Sequence, residues 1–186
     1  MKQVPFILCL VILLTACSKK TFTVEGRIDS NSDRDFNTTQ IYLLTTTTPA
    51  QLIDSTEVQN NTFTFQLPAD SVQIALIRPA NPIFQYFLQP LLVATESGTV
   101  QVVLGKNSTG QGTPLNQALQ NWKQHKANFN SHLQEIYRDY WKASSEEKDR
   151  IDSLKRALSE ADETFQLRLI EENKDNAFGE FLKKLQ

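Results

Sequence analysis

Cysteine is scarce in this chain: there are two in 186 residues, Cys9 and Cys17, both near the N-terminus. They form no C-x-x-C pair, which excludes thioredoxin-type redox chemistry. Glycine is equally sparse, at six, and no glycine-rich phosphate loop, Walker motif or nucleophile elbow occurs. The apolar run at residues 5–14 is too short to cross ~30 Å of hydrocarbon as a helix. Positive charge is not in excess either. With 19 Lys and Arg against 21 Asp and Glu, the net charge of −2 offers no electrostatic reason to bind nucleic acid. What is present, 40% hydrophobic and 22% charged residues, excludes a disordered chain and a multispanning membrane protein.

The short apolar run follows Lys2 and ends in Thr15, Ala16 and Cys17, the layout of a signal-peptide core. Leu14-Thr15-Ala16-Cys17 resembles the lipobox of bacterial lipoproteins. That resemblance implies cleavage after Ala16 and acylation of Cys17, so residues 1–16 form the signal peptide and 17–21 a lipidated tether. At ~0.8 kcal/mol per buried methylene, more than two acyl tails hold permanently to a bilayer. Cys9 leaves with the signal and Cys17 carries its lipid on sulfur. The mature chain is then expected to have no free thiol, no internal disulfide and no cysteine nucleophile. Ser18-Lys19-Lys20 contains no acidic residue. In similar lipoproteins acidic residues there accompany transport to the exterior, so the expected location is the outer membrane, facing the periplasm.

Composition changes near Gly112. Before it, short alternating runs at 21–28, 40–45, 52–58, 62–67, 72–78, 84–95 and 99–104 read as strands. Asn60-Asn61 reads as a two-residue hairpin turn, because asparagine tolerates positive φ. After it, Thr113 as N-cap and Pro114 at the first helical position open a helix. Its stripe runs Leu115, Leu119, Trp122, Phe129, Leu133, Ile136 and Tyr140. Ser144 to Glu147 matches a capping box, and Ile151, Leu154, Leu158, Ala161, Phe165 and Leu169 continue the stripe. The expected fold is therefore α+β: an antiparallel β-sandwich or half-barrel of about seven strands (22–112), followed by a long antiparallel helical hairpin (113–186) packed on it or extending from it.

Phe22-Thr23-Val24-Glu25-Gly26, the stretch from Asp54 to Phe65 with its Asp-Ser strand, tight turn and Phe-x-Phe strand, and Gly112-Thr113-Pro114-Leu115-Asn116-Gln117-Ala118-Leu119 together resemble the domain of unknown function 4369. That family occurs in envelope lipoproteins of the Bacteroidetes type, usually ahead of a thioredoxin-like module. The chain departs from the pattern in carrying Asn61 where glycine is usual. It also ends at Gln186, about where such a module would begin, so the catalysis of longer relatives is not carried over.

Several residues invite a site reading. His125 and His132 lie seven apart on one helix, about 10.5 Å of rise, too far to share an ion at ~2 Å ligand distances; they read as flanking the core. Residues 29–35 match the first three ligand positions of a calcium loop, but Arg34 replaces its glycine and Gln40 its bidentate glutamate. Ser55, Ser71 and Ser153, each after an aspartate, resemble the short O-glycosylation signal of this bacterial group. Phe84, Tyr86, Phe87, Leu88, Leu91, Leu92 and Val93 are apolar on both faces, expected as a strand buried between sheet and helices, or else as an exposed partner patch.

No catalytic residue, cofactor or metal is expected. The reading is a non-enzymatic, lipid-anchored envelope protein that binds a protein or peptide partner, with no nucleic acid. The alternatives are an accessory acting in trans to a thioredoxin-like oxidoreductase, and a small-ligand or glycan receptor. Metabolic labelling with palmitate should mark the wild-type protein and leave Cys17→Ala unlabelled, read by autoradiography of the purified protein.

Overall fold

The computed structural model describes residues 20–29, 34–138 and 140–186. Alternation of apolar and polar residues produces eight strands in two four-stranded sheets. The first sheet has the order β4 (Thr62–Pro68), β1 (Thr21–Ile28), β7 (Gly98–Leu104), β8 (Thr109–Gln111); the second has β3 (Leu52–Glu57), β2 (Gln40–Thr45), β5 (Ile74–Pro79), β6 (Leu91–Ala94). Every pair is antiparallel except β1 with β7, which is parallel. The inner faces meet in one core, with Phe22, Val24, Phe65, Val100 and Leu104 from one sheet against Ile41, Leu43, Ile77 and Val93 from the other. This is the expected α+β sandwich. It has one more strand than the sequence suggested, one parallel pair, and no closed barrel.

Gly26 is required by this core. It sits opposite Phe63 across β1 and β4, and a Cβ there would fall 2.2 Å from the Phe63 ring.

Asn60 and Asn61 both have positive φ, 51° and 59°, and Gln59 and Thr62 exchange backbone hydrogen bonds of 2.9 Å across them. The turn is the expected one, but the strands beside it do not stay paired. β3 joins β2 in one sheet and β4 joins β1 in the other, so the turn is a corner between layers. The expected strand at 84–95 also divides. Pro82–Tyr86 is a turn of 3-10 helix with Tyr86 exposed, and only Leu91–Ala94 is strand. Pro90 lies between them and has no N–H to give a ladder.

Three helices follow: α1 (Pro114–Arg138), α2 (Ser145–Glu172) and α3 (Ala177–Lys183). The outward faces of β5 and β6 (Ile74, Leu92, Ala94) form a second core with Leu119 and Trp122 of α1, Leu169 and Ile170 of α2, and Phe178 and Leu182 of α3. Thus β6 is buried on both faces, as expected, yet it is an edge in hydrogen-bonding terms.

An exposed edge of unpaired backbone groups invites further pairing and must be covered. α1 covers two edges at once. The Asn116 side chain, 2% exposed, accepts from Ala94 N (2.9 Å) and donates to Ala94 O (2.8 Å), so it stands in for a missing strand beside β6. One turn later Gln120 Oε1 accepts from Gly110 N of β8 (3.3 Å), and then Lys123 Nζ donates to the Ser108 carbonyl. Spacings of four and three place these polar residues on one helix face. Asn116 Nδ2 also donates to Thr113 Oγ1 (2.8 Å). Thr113 holds the expected N-cap position, its carbonyl accepting from Gln117 N at 2.9 Å, but the side-chain acceptor for the N–H groups of Leu115 and Asn116 is Glu96 Oε1, at 2.6 and 3.3 Å.

Asn116→Leu, which keeps the branching and the number of heavy atoms, leaves both backbone groups of Ala94 unpaired under α1. At about 1–3 kcal/mol for each of the two buried unsatisfied groups, the variant is expected to lose roughly 2–6 kcal/mol of stability, read as a lower urea midpoint by circular dichroism.

Candidate functional site

Thr21, the beginning of β1, lies at the end of the sandwich that also carries Ala69, whose N–H donates to the Lys20 carbonyl at 2.9 Å, and the start of α1 at Glu96. By Lys123, α1 has reached the opposite end, since Ser108 is tied to Gln89 O (2.6 Å) and Gly105 N (3.1 Å) just beyond β7. Gln124 and Ala127 still border the loop at Asn107, Ser108 and Thr109; the last 11 residues of α1, about 16 Å at 1.5 Å per residue, run beside α2 and project past the sheets. The helices run antiparallel: His125 stacks on Phe165 with ring centres 3.7 Å apart, and Lys155 lies over Tyr137 nearer the tip. The chain turns at Tyr140–Lys142, and α2 opens with the expected capping box. Ser144 Oγ accepts from Glu147 N (3.3 Å) and Glu147 Oε2 accepts from Ser144 N (2.9 Å).

The stripe on α2 is not continuous. Leu154 is 50% exposed and Ala161 is exposed, while Asp162, beside it, is 8% exposed. Asp162 receives Lys126 Nζ (2.9 Å) and Gln166 Nε2 (3.0 Å), and its other oxygen lies 3.0 Å from His125 Nε2. Burial pushes the Asp162 carboxyl up, but Lys126 beside it, with Gln166 and His125, outweighs this and holds it below the ordinary carboxylate value. The cluster fixes the register of the two helices. His132 is exposed and lies two turns further along α1, so the two histidines do not come together.

The tip is aromatic. Trp141 is 86% exposed and meets Tyr140 edge to face at 5.5 Å; Tyr140 meets Tyr137 likewise at 6.0 Å. Lys148 and Lys155 lie over the Tyr140 and Tyr137 rings at 5.8 and 5.4 Å, fixing them in place.

A second feature lies where α1 crosses the seam. A cavity of about 200 Å³ is walled by Pro90, Leu91, Leu92, Gly110, Leu119, Gln120, Trp122 and Lys123. A polar cleft of about 270 Å³ along Asn107, Ser108, Thr109, Gln124 and Ala127 shares Gln120 and Lys123 with it. Burial pushes the Lys123 ammonium pKa down. Among the described residues, the Trp122 indole N–H is the buried side-chain polar atom with no hydrogen-bond partner. Apolar periodicity marked Leu119 and Trp122 in advance but not Gln120 or Lys123. An asparagine in a helix at position 116, a poor helix former, was the available sign that polar residues face inward here.

Other candidates are separate. Cys17 and Ala16 lie outside the described residues, as do positions 30–33 of the calcium-like loop. Asp35 in that loop accepts from Asn37 N at 2.8 Å, and Gln40 starts β2 and bonds Glu57 at 3.3 Å. Ser55 on the edge strand β3, Ser71 in the turn after β4 and Ser153 on α2 are all exposed; the Ser153 hydroxyl donates to Asp149 O. Tyr86 is 83% and Ile83 61% exposed at the far end of the sandwich, a smaller apolar patch.

A family model described as a domain of unknown function (DUF4369) matches residues 22–119, both sheets and the first turns of α1. The chain belongs to this family. The DUF4369 match includes Asn116 and Leu119 and stops short of Gln120, so the projecting hairpin and α3 lie beyond it. No curated protein and no solved structure matches the chain.

The linkage sign follows from the Asp162 cluster. A carboxyl held below its ordinary value when folded contributes stability above about pH 4, lost as pH falls through that lower value. Asp162→Asn is expected to cost about 1–3 kcal/mol at pH 7, and its difference from wild type should shrink at pH 3, read by urea denaturation at both pH values.

Proposed function

We propose that this protein is a non-catalytic envelope lipoprotein of the Bacteroidetes type that presents its helical hairpin to a protein partner. In this reading Cys17 carries the lipid, and the molecule faces the periplasm from the outer membrane. The observation that carries it is the placing of Trp141. An aromatic residue left 86% exposed stands at the tip of a hairpin that leaves the sandwich at the end away from Thr21.

The geometry agrees with the tether. Three residues separate Cys17 from Thr21, so the tether can reach no more than about 14 Å. Such a linker holds the sandwich end with Ala69 close to the bilayer and directs the hairpin away from it. Tyrosine and tryptophan bring large contact area with little rotamer entropy to lose, which is why they dominate interface energetics. The register set by Asp162 holds the tip preorganised, which lowers the entropic cost of docking. The absence of a thiol and of nucleophile motifs in the mature sequence supports a binding role over catalysis.

The test is site-specific photocrosslinking in intact envelopes. A benzophenone side chain at position 141 or 137 should capture a discrete protein partner, and one at exposed Thr64 on β4 should not. Trp141→Ala should remove at least nine-tenths of the species captured from position 137. Equal capture at 64 and 141, or none at the tip, would overturn the reading.

A further inference from the structure

We propose that the cavity under α1 at the β6–β8 seam binds a short-chain aliphatic carboxylate, with its tail among Leu91, Leu92 and Leu119 and its head on Lys123. Ligand sites in general pair apolar walls with a few converging polar groups, and this cavity has that division. The chamber of about 200 Å³ is walled chiefly by leucines, Pro90 and the Trp122 ring, while the adjoining cleft of about 270 Å³ is polar. Gln120 and Lys123 border both, so an amphipathic molecule would lie with its polar end at that boundary.

Charge selects the head group. Lys123 spends one donor on the Ser108 carbonyl, and an ammonium has three, so two remain for a ligand oxygen. No carboxylate of the protein lines either space, which leaves the cation without an acidic neighbour there. The Trp122 side chain is part of the wall, so its indole resonance reports on occupancy of the chamber. Size selects the tail. At ~30 Å³ for a water-sized group, the chamber takes roughly seven, a chain of six to eight carbons. Each methylene moved from water into such a chamber tightens binding about fourfold.

Isothermal titration calorimetry of the full chain with butanoate, hexanoate, octanoate and dodecanoate tests this directly. Affinity should rise about fourfold per added carbon up to octanoate and level off beyond it, and octanol and octylammonium should bind at least tenfold more weakly than octanoate. K123M should bind octanoate no more tightly than the wild type binds octanol, and K123R should recover part of the loss. In nitrogen–proton correlation spectra, octanoate should move the Trp122 indole resonance and leave that of Trp141 in place. No saturable heat with octanoate at 10 mM, octanol binding as tightly as octanoate, or movement of the Trp141 signal alone would each overturn the proposal. The head-group comparison uses wild-type protein, so the outcome stands even if K123M does not fold.

Discussion

Two β-sheets that face one another leave four edges, and the stability of this molecule turns on how those edges are closed. On one side the corner at Asn60-Asn61 carries the chain from β3 into β4 and brings those two edges together. On the other side no strand joins β6 to β8, and α1 fills the opening with side chains: Asn116 on Ala94, Gln120 on Gly110, Lys123 on Ser108. A helix cannot extend a sheet with its own backbone, because its N–H and C=O groups are already paired within it. Polar side chains at one-turn spacing do that work, while Leu119 and Trp122 on the neighbouring stripe bury apolar area.

The same helix makes three kinds of contact in succession. Its first turn is fixed by Glu96 and Asn116, its middle closes the seam and borders the cavity, and its last three turns leave the sheets for α2. Asp162 of α2 meets α1 on that side of the seam. Its environment of Lys126, His125 and Gln166 places a charge between two helices that otherwise meet through half-buried apolar residues, and a helix slipped by one turn would leave that charge unpaired. Specific polar contacts thus choose the alignment, and hydrophobic burial supplies the bulk of the attraction.

Local signals in the sequence were legible where one segment decides the outcome. The capping box at Ser144, the positive-φ turn at Asn60-Asn61, the alternation in β1 and the helical periodicity after Pro114 all depend on residues within a few positions of each other. Partner choice was less legible. Whether β3 and β4 stay paired beyond their turn depends on Phe63 and Phe65 finding Gly26 and Val24 far away in sequence, and the parallel pairing of β1 with β7 has no local mark at all. The apolar run at 84–95 reads as one strand because periodicity cannot separate a buried strand from a 3-10 turn, and Pro90 is the local mark of the division. In the candidate sites, apolar stripes pointed to Trp122 and Tyr140. Gln120 and Lys123 stayed hidden because a polar residue in a helix is ordinarily on the solvent side, and Asp162 because its partners lie 36 and 37 residues away.

The helix from Pro114 to Arg138 is unbroken, and no glycine or proline interrupts it after its first residue. It therefore behaves as a stiff beam clamped at one end on the two sheets and braced along the rest by α2. A pull or a twist applied at the aromatic end is carried along its length to the clamp, where the strain falls on Lys123, Gln120 and Asn116 in turn and on the hollow beside them.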